Sequence, residues 1–191
     1  MARTISACPH HLHTKSPHMK RAGLNLTPLV LPLPLISDNN LSMIRKATIQ
    51  DIKEIHALLS EYGSRGELLS RPLSELYDHV RDFFVFDEGK RIIGCCALQF
   101  CWEDLAEVRS LAVRPDQHGR GIGKQLANRA IDEAREFGIT KLFTLTYRPG
   151  FFETLDFSII DRSELPLKIW SDCITCVKFP DCDETAMMRT L

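Results

Sequence analysis

The run Leu111-Ala112-Val113-Arg114-Pro115-Asp116-Gln117-His118-Gly119-Arg120-Gly121-Ile122-Gly123-Lys124 constrains this chain more than any other stretch. A β-rich segment is broken at Arg114-Pro115-Asp116, alternating glycines follow, and an amphipathic pattern then carries Leu126, Ala130, Ala134 and Phe137 on one face before Gly138 stops it. Strand, glycine-rich turn and helix in that order make an anion site. Glycines let main-chain N–H groups converge, and the helix N-terminus adds about half a positive charge. Phosphate is the natural ligand. The P-loop spacing Gly-x-x-x-x-Gly-Lys-Ser/Thr and the dinucleotide fingerprint Gly-x-Gly-x-x-Gly both fail, because the spacing here is Gly-x-Gly-x-Gly. The alternative is a turn that merely reverses the chain.

The flanking segments set the class of fold. Met43 to Ala47 reads as a short strand, and Thr48 with Asp51 forms a capping box for a helix that buries Ile52, Ile55, Leu59 and Tyr62. Gly63 to Arg71 is a loop, after which Pro72 opens a second helix with Leu73, Leu76, Tyr77 and Val80 on one side. Phe83 to Phe86 and Arg91 to Cys101 form a hairpin around Asp87-Glu88-Gly89-Lys90, and Leu105 to Val113 extends it into a meander. Beyond the glycine loop come a strand at Lys141 to Tyr147, a short helix from Pro149 through Leu155, a strand at Phe157 to Ile160 and a last one at Thr185 to Thr190. The expectation is one α/β domain over residues 43–191, with a mixed central β-sheet flanked by helices.

Residues 1–42 differ in kind. They hold five of the ten prolines and no aromatic residue, and Arg3, Lys15, Lys20 and Arg21 face only Asp38, so the rest of the chain is mildly acidic. The apolar stretch Leu29 to Ile36 is broken by Pro32 and Pro34, unlike a secretory signal. The segment reads as a disordered extension, or as sequence ahead of a true start at Met43. No later run is apolar enough to predict a membrane span. A formal net charge of -1 gives no bulk field for nucleic acid or anionic membranes. Seven cysteines without a secretion signal predict reduced thiols and a cytoplasmic protein. Adjacent Cys95 and Cys96 read as small hydrophobes on opposite strand faces. Cys173-x-x-Cys176 with Cys182 lacks a fourth zinc ligand, so no metal is expected and the thiols read as structural.

Leu-Ala-Val-x-Pro followed by Gly-x-Gly-x-Gly resembles motif A of the GNAT acyltransferases, and the resemblance extends over essentially all of residues 43–191. It implies the GNAT acyl-CoA N-acyltransferase fold and acetyl-CoA as co-substrate. By that likeness Leu111, Ala112 and Val113 hold the pantetheine arm and thioester, while His118, Gly119, Arg120, Gly121, Ile122, Gly123 and Lys124 hold the pyrophosphate. His118 stands where the family usually has Gln or Arg. The reaction needs a base for the amine, an oxyanion stabiliser and a leaving thiolate. Glu107 lies four residues before Leu111, on the same strand face by period-two alternation. In several GNAT enzymes a glutamate at this spacing is the general base; a salt-bridged strand carboxylate is the alternative. The usual acid, a tyrosine, is replaced by Phe152 in Phe151-Phe152-Glu153-Thr154-Leu155-Asp156-Phe157, so the thiolate leaves unaided or with water. Asp156 stands where glycine is usual.

Gly66-Glu67-Leu68-Leu69-Ser70-Arg71, Ala106-Glu107-Val108, Leu142 to Arg148 and the tail from Leu165 to Glu184 are similar to the acetyltransferase domain of short, stand-alone N-acetylglutamate synthases, the first enzymes of arginine biosynthesis. That likeness implies acetyl transfer to the α-amino group of L-glutamate. Two substrate carboxylates call for at least two cations, preferably arginines. Arg71 and Arg148 are the candidates by matching, with Arg109 a third. The amino-acid kinase domain of many such synthases has no counterpart in these residues, so feedback by arginine through it is not expected. The expected partners are a small-molecule substrate and at most a second copy in a homodimer, with no nucleic acid and no membrane. Two alternatives stay open: acetylation of another small amine or a protein N-terminus, and a catalytically silent CoA-binding sensor.

Overall fold

Alternating apolar residues build one mixed sheet from β1 (Met43–Lys46), β2 (Phe83–Asp87), β3 (Ile92–Phe100), β4 (Leu105–Val113), β5 (Lys141–Thr146), β6 (Ser158–Ile159) and β7 (Thr185–Thr190), in spatial order β1-β2-β3-β4-β5-β7-β6. The computed structural model describes residues 43–89, 91–165 and 181–191. The expected N-terminal extension, Cys173 and Cys176 lie outside the described residues. β1 to β4 form the expected antiparallel meander, β4 and β5 run parallel, and β7 inserts between β5 and β6.

Among the described residues four α-helices cover the sheet: α1 (Ile52–Ser64), α2 (Leu73–Asp78), α3 (Ile122–Glu136) and α4 (Pro149–Glu153). Strand periodicity divides the apolar side chains between the two faces of the sheet. Phe84, Cys96, Leu98, Ala106 and Val108 pack with Leu126, Ala130 and Ala134 of α3. Val85, Cys95 and Ala97 pack with Ile52, Ile55 and Leu59 of α1 and Leu76 of α2. Cys95 and Cys96 are thus on opposite faces, and both are fully buried. The capping box forms as expected, with the Asp51 carboxylate accepting from the Thr48 amide at 2.7 Å.

Three local departures have physical causes. α2 ends at Asp78, and Val80–Asp82 is a tighter 3-10 turn that feeds Phe83 into the sheet. Phe137 is the cap after α3 rather than part of its buried stripe. It is 66% exposed and its ring leans on Phe100 at 5.0 Å. The third departure reaches the site. Ala97 pairs with Arg109 but Cys95 pairs with Ala112, so β4 carries one residue more than β3 across this step. Ser110 takes φ +53° in the bulge. Val108 and Leu111, three residues apart, therefore both pack on the α3 side, and Glu107 lies on the opposite face from Leu111. The expectation that they share a face is corrected: period two does not survive an inserted residue.

Candidate active site

β4 and β5 pair only where Leu105–Glu107 meets Lys141–Phe143. Beyond that both strands continue, to Val113 and Thr146, and between them lies a cleft of about 510 Å³. Leu111, Ala112, Val113, His118, Gly119, Gly121, Ile122, Gly123 and Lys124 all line it, as the loop reading requires. Arg120 does not. Its guanidinium lies 2.7 Å from Glu88 and also bonds Gln117, on the outer side of the turn.

Gly119 and Gly121 take φ +80° and +73°, in the left-handed region where a Cβ is costly. Gly121 caps α3, and no side chain caps that end. The first intrahelical bond runs from the Gln125 amide to Gly121 O at 3.1 Å. The amides of Ile122, Gly123 and Lys124 therefore have no acceptor within the helix. With no acidic residue in the first turn and Lys124 beside it, this end of the cleft suits an anion.

His118 links the loop to α1. Its Nε2 is 2.9 Å from Val113 O and 2.8 Å from the Tyr62 hydroxyl, which itself donates to Val113 O. Burial, then the charges of Glu67 and Glu61, raise the Tyr62 phenol above its ordinary value, so it stays a protonated donor. Sequence reasoning placed Tyr62 in the core and missed its hydroxyl. The available signal was a tyrosine, rather than a phenylalanine, ending the apolar stripe of α1.

Residues 51–157 match the sequence profile of the acetyltransferase (GNAT) family. The chain belongs to that family. It is 39% identical over 148 residues to an uncharacterized N-acetyltransferase of Chlorobaculum tepidum, covering 78% of this chain and 96% of that protein. It is 30% identical over 133 residues to an amino-acid acetyltransferase of Mycobacterium tuberculosis, covering 68% and 76%. The N-acetylglutamate synthase of Neisseria gonorrhoeae, solved with coenzyme A and N-acetyl-glutamate, superposes with a TM-score of 0.71 at 29% identity. That match covers 79% of this chain and 35% of that one. The fold is therefore the GNAT fold, and the protein is an N-acetyltransferase.

Of the residues expected to bind or activate an acceptor, fewer line this GNAT cleft. Arg109 and Arg148 line it; Arg71 and Glu107 do not. Arg71 bonds Glu75 and borders a small neighbouring void that Arg109 also reaches. Glu107 lies 3.5 Å from Arg109, with side-chain exposures of 14% and 15% respectively. Arg109 Nη1 also donates to Gln99, and its Nε is buried without a partner. Arg148 pairs with Glu67 across 3.0 Å. Phe152 lines the cleft and stands edge-on to Phe151 and Phe157 at 5.1 and 5.4 Å, an apolar cluster with no proton to give. Asp156 takes the left-handed φ of +61° that glycine usually supplies there, and Arg189 lies 3.5 Å from its carboxylate. Among the described residues no cluster of three metal-binding side chains occurs and no helix is long and apolar enough to cross a membrane. Cys182 Sγ lies 3.2 Å from Arg162 Nη2.

Proposed function

We propose that residues 43–191 of this N-acetyltransferase move the acetyl group of acetyl-CoA to the α-amino group of an amino acid, and that this amino acid is L-glutamate. That reaction opens arginine biosynthesis, with the cytoplasm as its compartment. The observation that carries the choice is Arg109: a half-buried side chain lining the cleft whose Nε is buried with no acceptor. An unmet buried donor costs roughly 1–3 kcal/mol, which a shift of the side chain onto a substrate carboxylate would relieve. The exposed Arg148 offers a second cation on the other wall. The names of the Mycobacterium and Neisseria relatives support the same class of acceptor.

In this reading the amides of Ile122, Gly123 and Lys124, with Lys124 itself, bind the diphosphate. The main chain from Leu111 to Val113 holds the pantetheine and polarises the thioester carbonyl. Glu107, held beside Arg109 and outside the cleft lining, takes a proton from the acceptor ammonium through water. The amine then attacks the thioester carbon, main-chain N–H groups stabilise the oxyanion, and the C–S bond breaks as the tetrahedral intermediate collapses, the second nitrogen proton passing to the departing thiolate or to water. A thiol pKa of about 8.5 lets the thiolate leave without a side-chain acid, consistent with Phe152. Arg71, outside the cleft lining, shares a small neighbouring void with Arg109.

The test is coenzyme A release by the purified protein across a panel of amino acids, polyamines and peptides, with products identified by mass. Glutamate is expected to be the preferred acceptor. Acetylation of polyamines or peptide N-termini without glutamate would overturn the reading, and coenzyme A binding without any release would favour a sensor.

A further inference from the structure

We infer that Glu67 is a specificity-determining residue of the acceptor site: its carboxylate occupies Arg148 until a carboxylate of the acceptor takes its place. The inference rests on the reading of Arg148 as an acceptor ligand.

The two side chains come from opposite walls of the cleft and are 81 residues apart in the chain. Each backbone is anchored. The Glu67 amide donates to Tyr62 O at 3.1 Å, after a turn in which Gly66 takes φ +71°, so the residue is pinned to the end of α1. The Arg148 amide donates to Thr146 Oγ1 at 3.0 Å, directly after β5. Only the side chains need to move for the 3.0 Å pair to open.

The pair is weak enough to be exchanged. Arg148 is 73% exposed and Glu67 34%, so water screens their attraction. A dicarboxylic acceptor replaces one carboxylate on the guanidinium by another and releases Glu67 to the surrounding water. An acceptor with a neutral side chain has no second carboxylate to offer once its α-carboxylate is bound elsewhere, and a cationic one would leave Arg148 in place and meet it as a like charge. Glu67 thus tempers the preference for an anionic side chain, because it competes with that carboxylate for Arg148 and leaves neutral acceptors untouched. It also acts as a competitor at fixed local concentration, weakening acceptor binding without touching the acetyl group.

Steady-state kinetics of Glu67→Gln test this, alone and with Arg148→Ala. Both residues are on the surface, and thermal melting confirms that the variants fold. Removing the competitor should lower the glutamate KM by about twofold to fivefold, the range of an exposed ion pair, with kcat little changed. In the Arg148→Ala background the same substitution should leave KM unchanged, because Glu67 acts through that guanidinium. If the wild-type protein acetylates glutamate but Glu67→Gln leaves its KM unchanged or raises it, this inference falls and the proposed function stands. The inference is equally overturned if the drop in KM persists without Arg148. If the wild-type protein acetylates no acidic amino acid, both fall.

Discussion

Replacing Gly121 by alanine separates the shape of the anion loop from its surroundings. Gly121 has φ +73° and no atom lies within 4 Å of where a Cβ would stand, so the added methyl meets nothing and the cost is conformational alone. Holding an L-residue in the left-handed region costs roughly 1–2 kcal/mol. Two responses are open to the chain. If the loop keeps its shape, stability falls by that amount, about 2–8 °C in Tm for a domain of this size. If the residue relaxes to the right-handed region, stability is nearly kept but the amides after it turn away. The binding-competent loop then carries the penalty, and the coenzyme A Kd rises by about fivefold to thirtyfold. Gly138 is the matched control, with φ +75°, no atom within 4 Å, and a position at the far end of α3. Calorimetric titration with coenzyme A and thermal melting of both variants give the answer. Gly138→Ala should lose stability only, and Gly121→Ala should lose stability, affinity or a share of each. Equal affinity and equal melting of Gly121→Ala and wild type would refute the loop reasoning.

Three further perturbations have defined outcomes. Arg45 grips Asp51 at 2.7 and 2.9 Å, and with help from Thr48 holds its carboxyl at about 2, below the ordinary 3.8. Its contribution is full above pH ~4 and is lost as pH falls toward 2; Asp51→Asn should flatten that limb of the acid-unfolding curve and cost about 2 kcal/mol at neutral pH, and an unaltered curve would exclude the pair as a source of stability. Burial pushes the Cys95 thiol up to about 12 and raises Cys96 as well, so a thiol reagent at mild alkaline pH should label neither before unfolding; labelling of either in the native protein would contradict their burial. Glu107→Gln should lower kcat by roughly 10²–10⁴ and flatten the acid limb of its pH profile, since a base works only when deprotonated, while coenzyme A affinity is retained; an unchanged kcat removes Glu107 from the chemistry.

What was legible in the sequence was local. The capping box at Thr48 and Asp51, the hairpin around Gly89 and the strand-loop-helix at Gly121 are set by neighbouring residues, and nine of the ten loop and thioester residues line the cleft. Only Arg120 of the ten does not, its side chain being held by Glu88 and Gln117, because residue spacing through a glycine turn does not say where each side chain points. The bulge at Ser110 was hidden, because Arg109-Ser110-Leu111 contains no glycine and the extra residue appears only in register with β3. The face of Glu107 was lost with it. The Glu67–Arg148 pair joins the end of α1 to the end of β5 across 81 residues, a tertiary fact with no local signature. Residue type alone likewise gave no way to tell that Arg109 lines the cleft while Arg71 does not.

The most direct measurement compares calorimetric titrations of the purified protein with coenzyme A and with pantetheine, which shares the thiol arm but lacks the diphosphate. Main-chain amides and Lys124 clasping that diphosphate predict binding of coenzyme A at least about tenfold tighter, given about 1.5–3 kcal/mol for each hydrogen bond to a charged group. Equal affinity for the two, or no affinity for coenzyme A, would contradict it.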